Sequence, residues 1–240
     1  MRARHKCFSL VSLLLICLAA PGAARAQTSG DIRQQIAQAY GLASFAQVEE
    51  LRFTFNLHWG KVNMARSWVW EVKKDRVSFK GTDKQGKPVE LNYLRSELSG
   101  QPAQQLKDTD GDFINDQYWL IFPFHLVWDT APKVEDTGMH KLPIGPGSAR
   151  RVVVSYPASG GYTPGDSYEL FVGGNNRIVQ WIYHRGGTAK PTLTATWEGY
   201  RQLGPLTVSL DHKDAARDIR IWFTDVAVKL GGSDQWLAAK

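Results

Sequence analysis

The sequence predicts a mainly β chain of the α+β class: about ten antiparallel strands in a sheet long enough to curl strongly, preceded by one or two short helices. Three observations predict it. Leu51, Phe53, Phe55, Leu57 and Trp59 alternate with Arg52, Thr54, Asn56 and His58, the pattern of a strand with one buried and one wet face. Five further strand-like runs succeed one another closely between residues 151 and 210. Between two of them, Gly173-Gly174-Asn175-Asn176 is a hairpin turn of residues that tolerate positive φ.

In chain order, Ser29 and Asp31 are N-cap candidates for a helix through Ile32, Ile36 and Ala39-Tyr40, which Gly41 either ends or interrupts. A second short helical stretch spans residues 43–48. After the strand at 51–59, Gly60 to Asn63 reads as a turn, and Trp68, Trp70 and Val72 form one face of the next strand. Val77 and Phe79, then Val89, Leu91 and Tyr93, continue a meander. From Leu98 to Gln117 the pattern fails, and this polar stretch is expected to be a long covering loop or lid. Residues 132–147, rich in Pro and Gly, are expected to be loop as well. The strands that follow are 151–156, 167–172, 177–184, 193–200 and 206–210, the third apolar on both faces and so expected to be covered on both sides. In the last strand Ile219, Ile221 and Phe223 fall at odd positions and Val226, Val228 and Leu230 at even ones. That phase slip predicts a bulge around Thr224 and Asp225. The tail 231–240 is expected to fray, apart from Trp236.

Residues 118–126, Tyr-Trp-Leu-Ile-Phe-Pro-Phe-His-Leu, with Val127 and Trp128 after them, form the densest apolar and aromatic run outside the N-terminus. The run is roughly half the length of a membrane-spanning helix. Pro123 cannot donate to a ladder, which argues against a central strand and predicts a bend or change of element there. This is either ordinary core or the wall of an apolar cavity.

Residues 1–26 have the form of a secretory signal: Arg2, Arg4, His5 and Lys6, an apolar run from Phe8 to Ala20, and an Ala24-Arg25-Ala26 cleavage site. The expectation is a periplasmic protein, monomeric and beginning near Gln27. Cys17 follows Ile16 rather than a small residue, which argues against lipid anchoring. Both cysteines, Cys7 and Cys17, lie in this segment, so no disulfide is expected beyond it. Four of the 29 Lys and Arg and none of the 23 Asp and Glu also lie there, and the formal charge of +6 falls to +2 for the remaining 214 residues. With no basic stripe left, nucleic acid is not an expected partner. A chain of that length buries enough surface to stand as one domain, residues 27–240.

No catalytic motif stands out. Asp108, Asp110 and Asp112, with Asp116 beyond, have the alternation of a calcium loop, but Phe113 replaces the required glycine and Trp119 the terminal glutamate. The stretch reads as a solvated turn, with calcium as the alternative. His58, His125, His140, His184 and His212 show no paired zinc spacing, and no G-x-S-x-G surrounds a serine. Asp166 beside Ser167 is a turn residue rather than part of a triad, because strand neighbours face opposite sides. No cofactor is implied.

The aromatics remain. Trp59, Trp68, Trp70, Trp119, Trp128, Trp181, Trp197 and Trp222 fall on or beside the expected strands and the apolar run. Each is explicable as core, and together they suit an apolar pocket. The cavity candidates are Trp68, Trp70, Tyr118, Trp119, Phe122, Phe124, Trp181 and Trp197.

The succession Leu51-Arg52-Phe53-Thr54-Phe55, Trp68-Val69-Trp70, Asn115-Asp116-Gln117-Tyr118-Trp119-Leu120-Ile121-Phe122-Pro123-Phe124, Thr163-Pro164-Gly165-Asp166-Ser167-Tyr168 and Trp197-Glu198-Gly199-Tyr200 resembles an uncharacterised bacterial branch of the outer-membrane lipoprotein carrier-like (LolA/LppX-like) superfamily, over roughly residues 30–230. The resemblance implies a strongly curved antiparallel half-barrel with helices or loops on its concave side and an apolar cavity between. It also implies a carrier whose partner is an apolar ligand such as a lipid or a lipoprotein acyl chain. Two other readings stand beside it. One is a cell-envelope interaction module with a solid core and the stretches 98–117 and 129–149 as its contact surface. The other, further off, is a hydrolase.

Overall fold

The computed structural model describes residues 30–83, 86–100 and 102–240. The signal expected over residues 1–26 lies outside them. The chain is mainly β, with two antiparallel sheets and few helices. Helix α1 (Ile32–Ala39) starts at Asp31, whose carboxylate accepts from the Arg33 backbone N–H, and buries Ile32, Ile36 and Ala37. Gly41 then turns the chain at φ +95° into α2 (Leu42–Phe45). A Cβ at Gly41 would sit 2.7 Å from the Pro205 carbonyl oxygen, so only glycine fits that close approach.

Strands β1 (Val48–Trp59), β2 (Val62–Glu71), β3 (Arg76–Thr82) and β4 (Pro88–Leu94) form the expected meander. Beyond β1 the larger sheet runs through β12 (Ile219–Leu230) and β11 (Leu206–Asp214) to β10 (Glu198–Leu203), so the first and last long strands are hydrogen-bonded neighbours. The smaller sheet is a second meander: β5 (Lys133–Lys141), β6 (Ser148–Ser155), β7 (Ser167–Val172), β8 (Ile178–His184) and β9 (Leu193–Thr196). Strand β9 hands the chain to β10 through Trp197, whose N–H still donates to the Val179 carbonyl on β8. The single expected strand over 193–200 is therefore two strands in two sheets. The phase slip in β12 is a bulge: Arg52 faces Ala227 and Thr54 faces Thr224, with Asp225 at φ +54°.

Three further expectations are corrected. The stretch 98–117 is not a loop: after a 3-10 turn at Arg95–Ser99 it enters α3 (Gln104–Trp128), which takes in both the acidic stretch and the apolar run. Much of the stretch 132–147 is strand β5, mostly exposed at the sheet edge. The tail is tied down, since β13 (Leu237–Ala238) pairs with β12 and the Lys240 backbone exchanges two hydrogen bonds with Gln202. Strand β8 buries residues on both faces: Trp181 on one, and on the other Gln180, bonded to the Ile144 backbone, and His184.

The bend at Pro123 is present. Ile121 leaves helical geometry at φ −123°, ψ 17°, two residues before the proline that cannot bond back to Trp119. On the far side of that kink Phe124 packs on Phe45 of α2 at 5.0 Å and on Trp128 at 5.5 Å. Among the described residues no helix is long and apolar enough to cross a membrane.

Candidate functional site

Helix α3 touches strands of both sheets, and its aromatic residues make most of those contacts. Phe113 packs on Trp68 and Trp70 of β2, at 5.4 and 5.8 Å between ring centres. Trp119 packs on Trp181 of β8 at 4.3 Å and on His212 of β11 at 5.4 Å. Phe122 meets Tyr168 of β7 and Trp181 at 5.1 and 5.3 Å. A helix buried on so many sides is apolar along its second half, and residues 116–126 are all buried.

Two buried carboxylates fix the polar first half. Asp116, fully buried, accepts from Arg66 Nε at 2.8 Å, Arg66 Nη2 at 2.5 Å and Trp68 Nε1 at 2.9 Å. Burial pushes Asp116 up to about 6, against the pull of the Arg66 guanidinium. Asp110, also fully buried, accepts from Tyr93 Oη and Arg95 Nε, each at 2.9 Å, and from Tyr162 Oη. Asp112 pairs with Arg66 Nη1 at 2.8 Å, and Asp108 accepts from Gln104 within the helix. The acidic stretch is thus neither a solvated turn nor a calcium loop. Its carboxylates leave the helix toward separate partners, and among the described residues no group of three His, Cys, Asp or Glu is placed to hold a metal ion.

A third polar group lies beyond the kink. Asp129 accepts from Tyr118 Oη and Tyr156 Oη at 2.7 Å each and lies 3.1 Å from His125 Nδ1. Burial alone would raise its carboxyl, but His125 and the two phenols outweigh it and hold Asp129 below the usual carboxylate range. The same burial, with the Asp129 charge, raises Tyr118.

Between α3 and the strands lies a cavity of about 680 Å³. Phe55, Leu57 and Met64 on the β1–β2 hairpin, with Ile219 and Ile221 on β12, make one apolar wall. Ile114, Asn115, Tyr118 and Trp119 of α3 make the second. Tyr168, Trp181, Tyr183 and Leu193 make the third. The charged groups are Arg66 and Asp112, paired with each other, with Arg66 also bound to Asp116; Asp166, held by Tyr183 Oη and the Gly186 N–H; and Arg185. The segment Tyr162-Thr163-Pro164, tied to α3 through Tyr162 and Asp110, closes one side.

Of the eight aromatic candidates, Tyr118, Trp119 and Trp181 stand on this wall. Trp68, Phe122, Phe124 and Trp197 sit in the surrounding core at 0 to 2% exposure, and Trp70 is half-buried against Phe113. Sequence reasoning missed Leu57, Met64, Ile114 and Ile221 as lining residues. The odd-position alternation along β1 was the signal for Leu57, while Ile114 was hidden in a stretch read as loop.

His212 is a buried titratable group behind the second wall, against Trp119. It is enclosed by Trp119, Trp197 and Phe223, with Nδ1 3.3 Å from the Thr196 carbonyl oxygen. Burial holds it down to about 4, so it is neutral at pH 7.

No family model matches the chain, and no curated protein matches it. Among solved structures, it is similar to the crystal structure of a DUF1329 family protein from Desulfovibrio piger ATCC 29098, determined at 1.75 Å. The likeness has a TM-score of 0.46 at 9% sequence identity and covers 85% of this chain and 93% of that one. A likeness of that degree does not assign the chain to the family its motifs resemble.

Proposed function

We propose that this is a periplasmic binding or carrier protein that holds the apolar part of a lipid or similar molecule against α3, inside sheets curved around the helix as a half-barrel. The observation that carries the reading is the cavity itself. Its volume, about 680 Å³, falls within the range of roughly 300–1,000 Å³ usual for small-molecule sites. Its three walls are largely aliphatic and aromatic. Each methylene taken from water into such a site contributes about 0.8 kcal/mol, so an alkyl chain binds there without a dedicated polar motif. The signal-like residues 1–26 support the compartment.

The test fills the cavity from a wall that is not fully packed. Leu57 is half-buried and faces the space. Leu57→Trp is expected to weaken binding of a fluorescent long-chain fatty acid by at least about tenfold, roughly 1.4 kcal/mol, with the melting temperature nearly unchanged. Native mass spectrometry of protein taken from its own periplasm is expected to show a co-purifying apolar molecule. If nothing co-purifies and Leu57→Trp binds the probe as the parent does, the reading is wrong.

A second reading, a cell-envelope interaction module, is favoured by one observation: four of the eight aromatic candidates are solid core rather than wall. Capture of one stoichiometric partner by lipid-free protein would select it.

A further inference from the structure

We infer that the end of the fold carrying the β1–β2 turn docks onto an anionic lipid surface. The inference goes beyond the cavity reading and rests on exposed side chains of its own.

Three connections meet at this end. The Gly60 N–H in the β1–β2 turn donates to the Asp218 carbonyl at 3.2 Å. Arg217, next to Asp218 in the β11–β12 turn, donates to the carbonyls of Thr192 and Pro191 in the β8–β9 connection. The three segments therefore lie side by side. Here the chain exposes two large apolar side chains, Trp59 at 49% and Val62 at 56%. They face each other directly across the hairpin, and the next rung inward on the same face is Leu57 opposite Met64. Leu57, Met64 and Trp59 all line the cavity. One apolar stripe thus runs from the cavity wall to the exposed tip.

Charge surrounds that tip asymmetrically. Lys61 in the turn, and Arg185 and Lys190 in the β8–β9 connection, have no carboxylate within ion-pair distance among the described residues. The acids at this end are committed: Asp218 to His58, Asp214 to Arg217, and Asp166 turned inward onto Tyr183 and Gly186. Arg185 leans on Tyr183 and Asp166, which leaves Lys61 and Lys190 as the unpaired cations. An exposed indole beside such cations suits the headgroup layer of an anionic bilayer, where Trp sits at the interface and Lys and Arg meet lipid phosphates. A protein partner fits less well. One indole offers about 150–250 Å², against the roughly 800 Å² per side of a stable protein interface.

Vesicle co-sedimentation of the chain beginning near Gln27 tests this, with phosphatidylglycerol-containing vesicles against pure phosphatidylcholine. Binding is expected to the anionic vesicles only, to weaken with salt, and to fall about tenfold in Lys61→Glu/Lys190→Glu and again with Val62→Ser added. These positions are exposed, so melting temperature and fatty-acid probe binding should stay at parental values. Failure of docking is thereby separable from failure of the cavity reading. Vesicles are also expected to shift the parental tryptophan emission to the blue, and Trp59→Phe to lose that shift. The inference is overturned if anionic vesicles do not bind the protein, if the charge-reversed and Val62→Ser variants bind as the parent does, or if this end captures an acidic protein while ignoring vesicles.

Discussion

Replacing Arg66 by Met tests whether α3 is held to β2 by charge. Asp116 is fully buried, and four donor atoms reach it: two from Arg66, Trp68 Nε1 and, at 3.0 Å, Asn115 Nδ2. Arg66→Met strands the carboxylate with two neutral donors, and breaking a buried pair in this way costs about 3–5 kcal/mol. For a domain of this size each kcal/mol moves the melting temperature by about 2–4 °C, so a fall of roughly 10 °C is expected. The sign of the pH dependence follows from Asp116. Its folded pKa of about 6 lies above the ordinary value of 3.8, so its contribution is fully present below about pH 4 and lost as pH rises through 6. That loss is on the order of 3 kcal/mol at pH 7. Asp116→Asn should remove this dependence, and Arg66→Met/Asp116→Leu should recover most of what Arg66→Met loses. Urea unfolding at pH 4.5 and 7.5 measures all of these. A cost below about 1 kcal/mol for Arg66→Met, or a double variant no better than the single, would refute the reasoning.

Two more perturbations probe the second wall. His212 is held down to about 4, below the ordinary 6.5, so its contribution is present above about pH 6.5 and lost as pH falls through 4. His212→Phe should therefore lose roughly 2–3 kcal/mol less than the parent between pH 7 and 4.5 in urea unfolding. Trp119 is 6% exposed and packs on Trp181, Trp197 and His212 while also facing the cavity. Trp119→Ala should cost about 3–5 kcal/mol, read by thermal or urea unfolding, and enlarge the cavity enough to change apolar-probe binding.

The strands were legible wherever one face is wet. Period-2 alternation placed β1 and the meander after it, and the slip from odd to even positions located the β12 bulge, because burial on a single face writes itself into the sequence. Helix α3 was hidden for the opposite reason. Its first half, residues 104–117, is polar because it is held by ion pairs, and Asp110 and Asp116 look like surface residues until Arg95 and Arg66 are seen beneath them. Its second half is apolar all round and so has no period to read. The proline at 123 was legible as a bend but not as a bend within a helix. The exposed strand β5 carries no buried face at all, which is why Gly and Pro around it read as loop. For the candidate site, composition cannot separate Trp119, on the cavity wall, from Trp197, behind it.

The pairing of β1 with β12 bears on how the chain reaches its native state. Residues 48–59 must wait for residues 219–230, so the middle of the larger sheet closes a loop of most of the chain. Loop-closure entropy grows with that separation, and contacts so distant in sequence slow folding. Until the C-terminal strand emerges, one edge of β1 is unpaired and its odd-numbered apolar face has only the hairpin beside it, a surface prone to associate with other chains. A chain cut before Ile219 should therefore collapse or aggregate rather than form the N-terminal meander as an independent unit.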